Sequence, residues 1–302
     1  MNTHANAIPG SPLGRQGVAE RFSATRPFYW SVRRELWEYR SIYLAPMAVA
    51  GVSILGFLIA TLGRALSMQD LARRLAVLEQ PYEFAAGLPM LASMVIGAYY
   101  CLDAFSSERR DRSILFWKSL PVSDRTTILA KATVLFIILP LITCAMIIAV
   151  EVIMVTLSSV VVLGSGLSVA TFWTHITPFH MLLGLLYHMI TVHVFWHAPF
   201  YAWLLLVSSW ARRAAILWAT LPPLAIALFE RIAFHTMYFV NWLMYRVSGG
   251  AEAVPMGSDH MGIIAHFSPL RFLLTPGLWL GLGFTALCLA GAVRLRHYRE
   301  AV

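Results

Sequence analysis

Charge is scarce in this chain. Only 13% of its 302 residues are Asp, Glu, Lys or Arg, about half of what a soluble domain carries. Meanwhile 59% are hydrophobic and the mean hydropathy is +0.68. No single globular core hides that much apolar surface from water. A soluble enzyme, a disordered chain and a collagen-like fibre are therefore excluded. Cysteine is scarce too: Cys101, Cys144 and Cys288 all sit inside apolar runs. Their spacing fits no zinc or redox motif and no disulfide framework, so they read as small core hydrophobes. Two motifs are missing, the phosphate-cradling GxxxxGKS/T and the HExxH of zinc proteases. The nearest glycine cluster, Gly10, Gly14 and Gly17, has no lysine.

What the sequence has instead is long apolar runs. A membrane-spanning helix needs about 20 apolar residues, and six stretches meet or approach that. They cover about 42–62, 84–105, 127–163, 181–210, 214–229 and 272–293. The fifth is short, and Pro222-Pro223 is expected to break it. Sorting the 23 Lys and Arg residues by loop puts 17 on the side of both termini and 6 on the other. That bias places both termini in the cytoplasm. The net charge of +8 is thus a topology signal and not a sign of a nucleic-acid partner. The fold class is all-α, a polytopic membrane protein of six transmembrane helices within residues 42–302.

Residues 1–26 are polar, contain no apolar core of signal-peptide length, and read as a flexible cytoplasmic tail. Residues 27–41 follow with an amphipathic pattern. Tyr29, Val32, Leu36 and Tyr39 recur at helical spacing, while Arg33, Arg34, Glu35 and Glu38 fall largely on another face. Trp30 and Trp37 add an aromatic flank of the kind that prefers lipid headgroups. This reads as an N-terminal interfacial helix against the inner leaflet, the other reading being an extension of the first span.

The cytoplasmic loop 106–126 holds the densest charge in the chain, followed directly by Ile114, Leu115, Phe116 and Trp117. Apolar residues beside charges in so short a loop need a cover, either the headgroup layer or a protein partner. A helix from about 107 to 120 would stop before Pro121, and Ser123 and Asp124 would cap the next one.

This run of acid, basic cluster, apolar patch and then Leu120-Pro121-Val122-Ser123 resembles the type-2 ABC export permeases. In that family the loop between spans two and three carries a coupling helix that docks on an ATPase subunit. The layout is similar as well: an interfacial helix, six spans, both termini inside, and an outer helical segment between spans five and six, here 230–271. The chain departs from the family at Asp111, Arg112, Ser113 and Leu115, where many members have a Gly-Thr step and a second acid. The resemblance implies a multi-pass permease of the bacterial inner (cell) membrane, itself without enzyme activity and without a cofactor. ATP would be used by a separate ABC ATPase, and a second protomer would complete a homodimer. It further implies that Glu108, Arg109, Arg110, Asp111 and Arg112 pair with the ATPase while Ile114, Leu115, Phe116 and Trp117 anchor it.

Ionisable groups at membrane depth are the remaining candidates. Glu151 lies 20 residues beyond Lys131, about 30 Å along a helix. There it either lines a substrate path or pairs structurally. His193 and His197 share a face of span four, with His188 nearly opposite His197. They suit polar cavity lining or interhelical hydrogen bonding. An alternative function is a membrane-embedded haem or redox subunit using these histidines, with His180 and His193 thirteen residues apart. That site needs matching histidines on a second span, and none is present. No metal site is expected. Phe234, Tyr238, Trp242 and Tyr245 follow near-helical spacing, which suits a helix in or dipping into the outer interface.

Overall fold

The computed structural model describes residues 25–64, 71–110, 122–164, 168–176, 178–249 and 269–299. The described residues are helical throughout, with no strand. Helix α1 (Thr25–Glu38) leads into α2 (Ser41–Arg64), α3 (Leu71–Asp103) and the short α4 (Ser106–Arg110). Helix α5 (Asp124–Gly164) runs 41 residues, about 60 Å at the usual rise. Helix α6 (Val169–Ile176) follows. Helix α7 (Pro178–His188) continues as a π-helical turn, Met189–Trp196, and α8 (Ala198–Trp210) completes that path. The chain ends with α9 (Ala215–Phe234), α10 (Tyr238–Val247), α11 (Pro269–Leu273) and α12 (Pro276–Arg299).

Among the described residues, five helices are long and apolar enough to cross a bilayer, and six paths result if α7 and α8, bent by 41°, count as one. The surface agrees with a multi-pass membrane protein. Along α9 only Ala219 is buried, while Ile216, Leu217, Leu221, Leu224, Leu228 and Phe229 are exposed. A soluble monomer does not leave an apolar patch of that extent uncovered.

Two expectations need correction. Pro222 and Pro223 do not break the fifth apolar stretch; α9 runs through both and on to Phe234. Proline at 223 deprives the Ala219 carbonyl of its partner four residues on. The Trp203 indole of α8 donates to that carbonyl instead, at 3.1 Å. A neighbouring helix thus satisfies a backbone group that lipid could not. Trp203→Phe is expected to cost about 1–3 kcal/mol by orphaning this carbonyl, read as earlier thermal loss of folded protein in detergent. Unchanged thermal stability would show that the indole contributes nothing there.

Glu35 is the second correction. Placed by its type on the polar face of α1, it is buried. At 100° per residue it lies close to Val32 and Tyr39, and it enters the interior because a buried lysine meets it there.

The start of α5 follows the sequence closely. Ser123 caps α5, its hydroxyl accepting from the Thr126 N–H at 3.1 Å. Pro199 sits in the first turn of α8, where a missing N–H costs nothing. Helix α10 contains Tyr238, Trp242 and Tyr245, whereas Phe234 ends α9. The turn between them is built by Glu230, whose carboxylate accepts from the Tyr238 N–H at 2.6 Å, the Phe239 N–H at 2.8 Å and the Thr236 hydroxyl at 2.7 Å. An acid at a helix N-terminus satisfies orphan donors and favours the dipole together.

Candidate functional site

One end of the bundle gathers six charged side chains from four helices. Glu35 and Arg34 come from α1, Glu108 from α4, Asp124 and Lys131 from the start of α5, and Arg296 from the last turns of α12. Lys131 Nζ lies 2.9 Å from Glu35 Oε1 and 3.1 Å from Glu108 Oε1. Arg34 Nη2 donates to Glu108 Oε1 at 2.7 Å and Nε to Glu38 Oε2 at 3.3 Å. Arg296 Nη1 donates to Glu108 Oε2 at 3.0 Å and Nε to Asp124 Oδ1 at 3.1 Å. The six groups carry equal numbers of each sign. Charge balance is what lets ionised groups persist where water is largely excluded.

Aromatic residues floor the cluster. The Phe105 ring has Lys131 Nζ 5.2 Å from its centroid and Arg296 Cζ 5.4 Å away, distances at which a ring face attracts cations. The Tyr100 hydroxyl donates to Glu35 Oε2 at 2.9 Å. Tyr39 meets Ser107 Oγ at 2.8 Å and donates to Asp103 at 3.3 Å. Burial opposes the charge on Arg34, yet Glu35, Glu108 and Glu38 hold its guanidinium above its ordinary value. Burial also pushes the Tyr39 phenol up, so it remains a donor.

Arg109, the next residue after Glu108, points elsewhere. Its guanidinium donates to the carbonyls of Ser208, Ser209 and Ala211. These are end carbonyls of α8, which lack helical partners and favour a cation. The break between α3 and α4 is filled from the same side. Ser208 Oγ accepts from the Phe105 N–H at 3.2 Å and donates to the Leu102 carbonyl at 3.0 Å. Adjacent residues thus reach opposite ways: Glu108 ties α4 to α1, α5 and α12, and Arg109 ties it to α8.

The segment 111–121 leaves from Arg110 and returns before α5. Asp111, Arg112, Ile114, Leu115, Phe116 and Trp117 lie outside the described residues, as do the tail up to residue 24 and residues 250–268 of the outer segment. Of the expected partner-facing charges that are described, Arg110 is exposed. Glu108 faces the protein's own interior, held by three cations, and Arg109 caps α8.

The membrane-depth candidates fall into separate surroundings. Glu151 is half-buried on α5. Its neighbours Val150 and Met154 pack with Phe57, Tyr82 and Phe172. His193 Nε2 meets Ser93 Oγ of α3 at 2.9 Å, and His197 Nε2 meets the Val247 carbonyl of α10 at 3.1 Å. Their ring centroids are 6.2 Å apart, and each serves a different helix contact. Among the described residues no three His, Cys, Asp or Glu side chains converge as a metal would require. The break at His197 also receives Arg246, which stacks 4.4 Å from the Trp196 ring centroid and donates to the Gly277 carbonyl at 2.7 Å. Gly281 makes room for it, since a Cβ there would overlap Arg246 Nη2 and approach Pro199 Cγ to 3.0 Å.

Sequence reasoning missed five members of the ion cluster as site residues: Arg34, Glu35, Asp124, Lys131 and Arg296. They are up to 188 residues apart from their partners. One signal was available. A lysine seven residues into an otherwise apolar helix needs a carboxylate, and Glu35 interrupts the apolar side of α1.

No family model, no curated protein and no solved structure matches the chain.

Proposed function

We propose that the chain is the transmembrane permease subunit of an ATP-driven exporter, similar in plan to the type-2 ABC export permeases. Both termini and the 111–121 segment face the cytoplasm, and a separate ABC ATPase docks on that segment. A second protomer, most simply an identical one, completes the substrate path. Glu151, His193 and His197 are the polar groups available to line it.

The observation that carries this reading is the Arg296 guanidinium. It holds Glu108 on one side of the 111–121 segment and Asp124 on the other, so the two ends of the proposed docking loop are fastened together. Glu108 is fastened to α1 and α5 as well. A push on the loop therefore moves α1, α3, α5 and α12 as one body, and Arg109 carries α8 with them. Rigid displacement of packed helices is how closure of a partner becomes movement across a membrane. Glu108 and Arg109 act as transmitters within the subunit, which leaves partner contact to Arg110 and to the apolar residues Ile114, Leu115, Phe116 and Trp117. Aromatic anchors flanked by charge are frequent hot spots.

The test is co-purification. Arg110→Glu combined with Trp117→Ala is expected to abolish recovery of an ATP-binding subunit with the tagged chain, while membrane insertion and elution volume stay as in the wild type. Undiminished recovery of the ATPase would remove the docking assignment. Arg109 is left intact in this variant because its loss would disturb α8.

A further inference from the structure

Helix α1 divides its charges by face. Arg26, Trp30, Arg33 and Trp37 fall within a stripe about 60° wide at 3.6 residues per turn, and no acid lies on it. Glu35 is turned inward to the ion cluster and Glu38 to Arg34. On the stripe, Arg33 Cζ stands 5.1 Å from the Trp30 ring centroid and 4.6 Å from that of Trp37. Among the described residues these two indoles are its only partners. Both are more than half exposed, at 56% and 63%. Beside them a groove of about 360 Å³ separates α1 from the start of α5, lined by Trp30, Arg33, Arg34, Trp37, Val122 and Thr127.

We propose that this groove holds the phosphodiester headgroup of an anionic phospholipid, bound by Arg33 between its two tryptophans. This rests on the reading of α1 as a helix at the inner membrane surface. A guanidinium without a carboxylate among the described residues, in a groove whose described lining has no acid, calls for an anion, and its planar fork matches phosphate oxygens. The occupant is a lipid because Trp30 and Trp37 flank the cation, and indoles concentrate at the headgroup level. The first membrane-crossing helix also begins at Ser41, four residues beyond Trp37, so the groove lies where acyl chains end. The volume suits a headgroup; small-molecule sites begin near about 300 Å³. Arg34, on the groove's inner wall, joins the lipid site to Glu108, which gives membrane composition a contact with the proposed coupling cluster.

The test uses the full-length chain purified in detergent, loaded with equal amounts of phosphatidylglycerol and phosphatidylcholine and examined by native mass spectrometry. The wild type is expected to retain phosphatidylglycerol about tenfold over phosphatidylcholine, the scale of one charge-assisted contact. Arg33→Gln is expected to erase that preference and Arg33→Lys to keep part of it. Millimolar inorganic phosphate should not displace the lipid. Arg33 takes no part in the ion cluster, so unchanged thermal stability of Arg33→Gln will show that the loss is one of binding. Equal retention of both lipids by the wild type, or wild-type preference in Arg33→Gln, overturns the site. Displacement by inorganic phosphate would make it a free-anion site and overturn the lipid. Loss of ATPase recovery in Arg33→Gln with lipid retention unchanged would assign the groove to the protein partner. Because lipid retention is measured on the purified chain without an ATPase, this proposal and the recruitment proposal fail independently.

Discussion

Glu108→Gln is expected to be the most damaging single substitution at the proposed coupling end. Glutamine keeps the shape but removes the charge that Arg34, Lys131 and Arg296 share. Among the described residues, the carboxylates left to the three cations would then be Glu35, Asp124 and the outlying Glu38. Lys131 and Arg296 are almost wholly buried, so water cannot take over. Breaking a buried pair by removing one partner typically costs about 3–5 kcal/mol. The expected result is a large drop in the temperature at which half of the monodisperse protein is lost in detergent. A second variant sharpens the attribution. Removing Arg296 together with Glu108 deletes a positive and a negative charge at once, so the double variant should lose less than the two single losses combined. Additive losses, or a Glu108→Gln protein as stable as the wild type, would dissolve the cluster as an energetic unit.

Arg109→Ala is the other large effect expected. It removes the donors to three carbonyls at the end of α8, and no helical N–H follows to take them. Each buried acceptor left without a partner costs about 1–3 kcal/mol. The damage should be local. Ala214 follows with a positive φ of 50°, a conformation that costs a non-glycine residue and persists only when its surroundings enforce it. Limited proteolysis is therefore expected to cut the 211–214 turn in Arg109→Ala while sparing it in the wild type. Arg109→Lys, with one ammonium in place of the planar fork, should fall between them. Equal resistance of the alanine variant would show that α8 ends securely without the guanidinium.

The apolar runs were legible because lipid removes any alternative: a segment at that depth must satisfy its backbone internally, and a helix does so. The start of α5 was legible from Ser123 alone, since a cap is a contact three residues long. The path of α9 was not. Reading Pro222-Pro223 as a break follows from the local loss of donors, and the repair comes from Trp203, on another helix. The ion cluster escaped for a related reason. Its members were visible as charges and were counted as loop charges, because their pairing between helices spans 23 to 188 residues. Periodicity assigned Arg34 and Glu35 to one polar face. The structure gives them different partners, since a residue's type does not decide its face when a buried cation waits opposite. Within the 106–126 loop, the sequence marked where charge and aromatic residues concentrate. It did not distinguish Glu108 and Arg109, turned inward, from Arg110, which is exposed.

Arg296 follows Glu108 by 188 residues and Asp124 by 172, which gives the cluster a bearing on biogenesis. During synthesis, Glu35, Glu108 and Lys131 can assemble as soon as α5 has left the ribosome. The closure between Glu108 and Asp124 waits until α12 has been made and inserted. Until then the ends of the 111–121 segment are not fastened to each other. A chain in which α12 has not yet been made therefore lacks the clasp that the proposed docking loop depends on. An ATPase that recognises the clasped loop, as proposed, would engage chains that carry α12 in preference to chains that lack it.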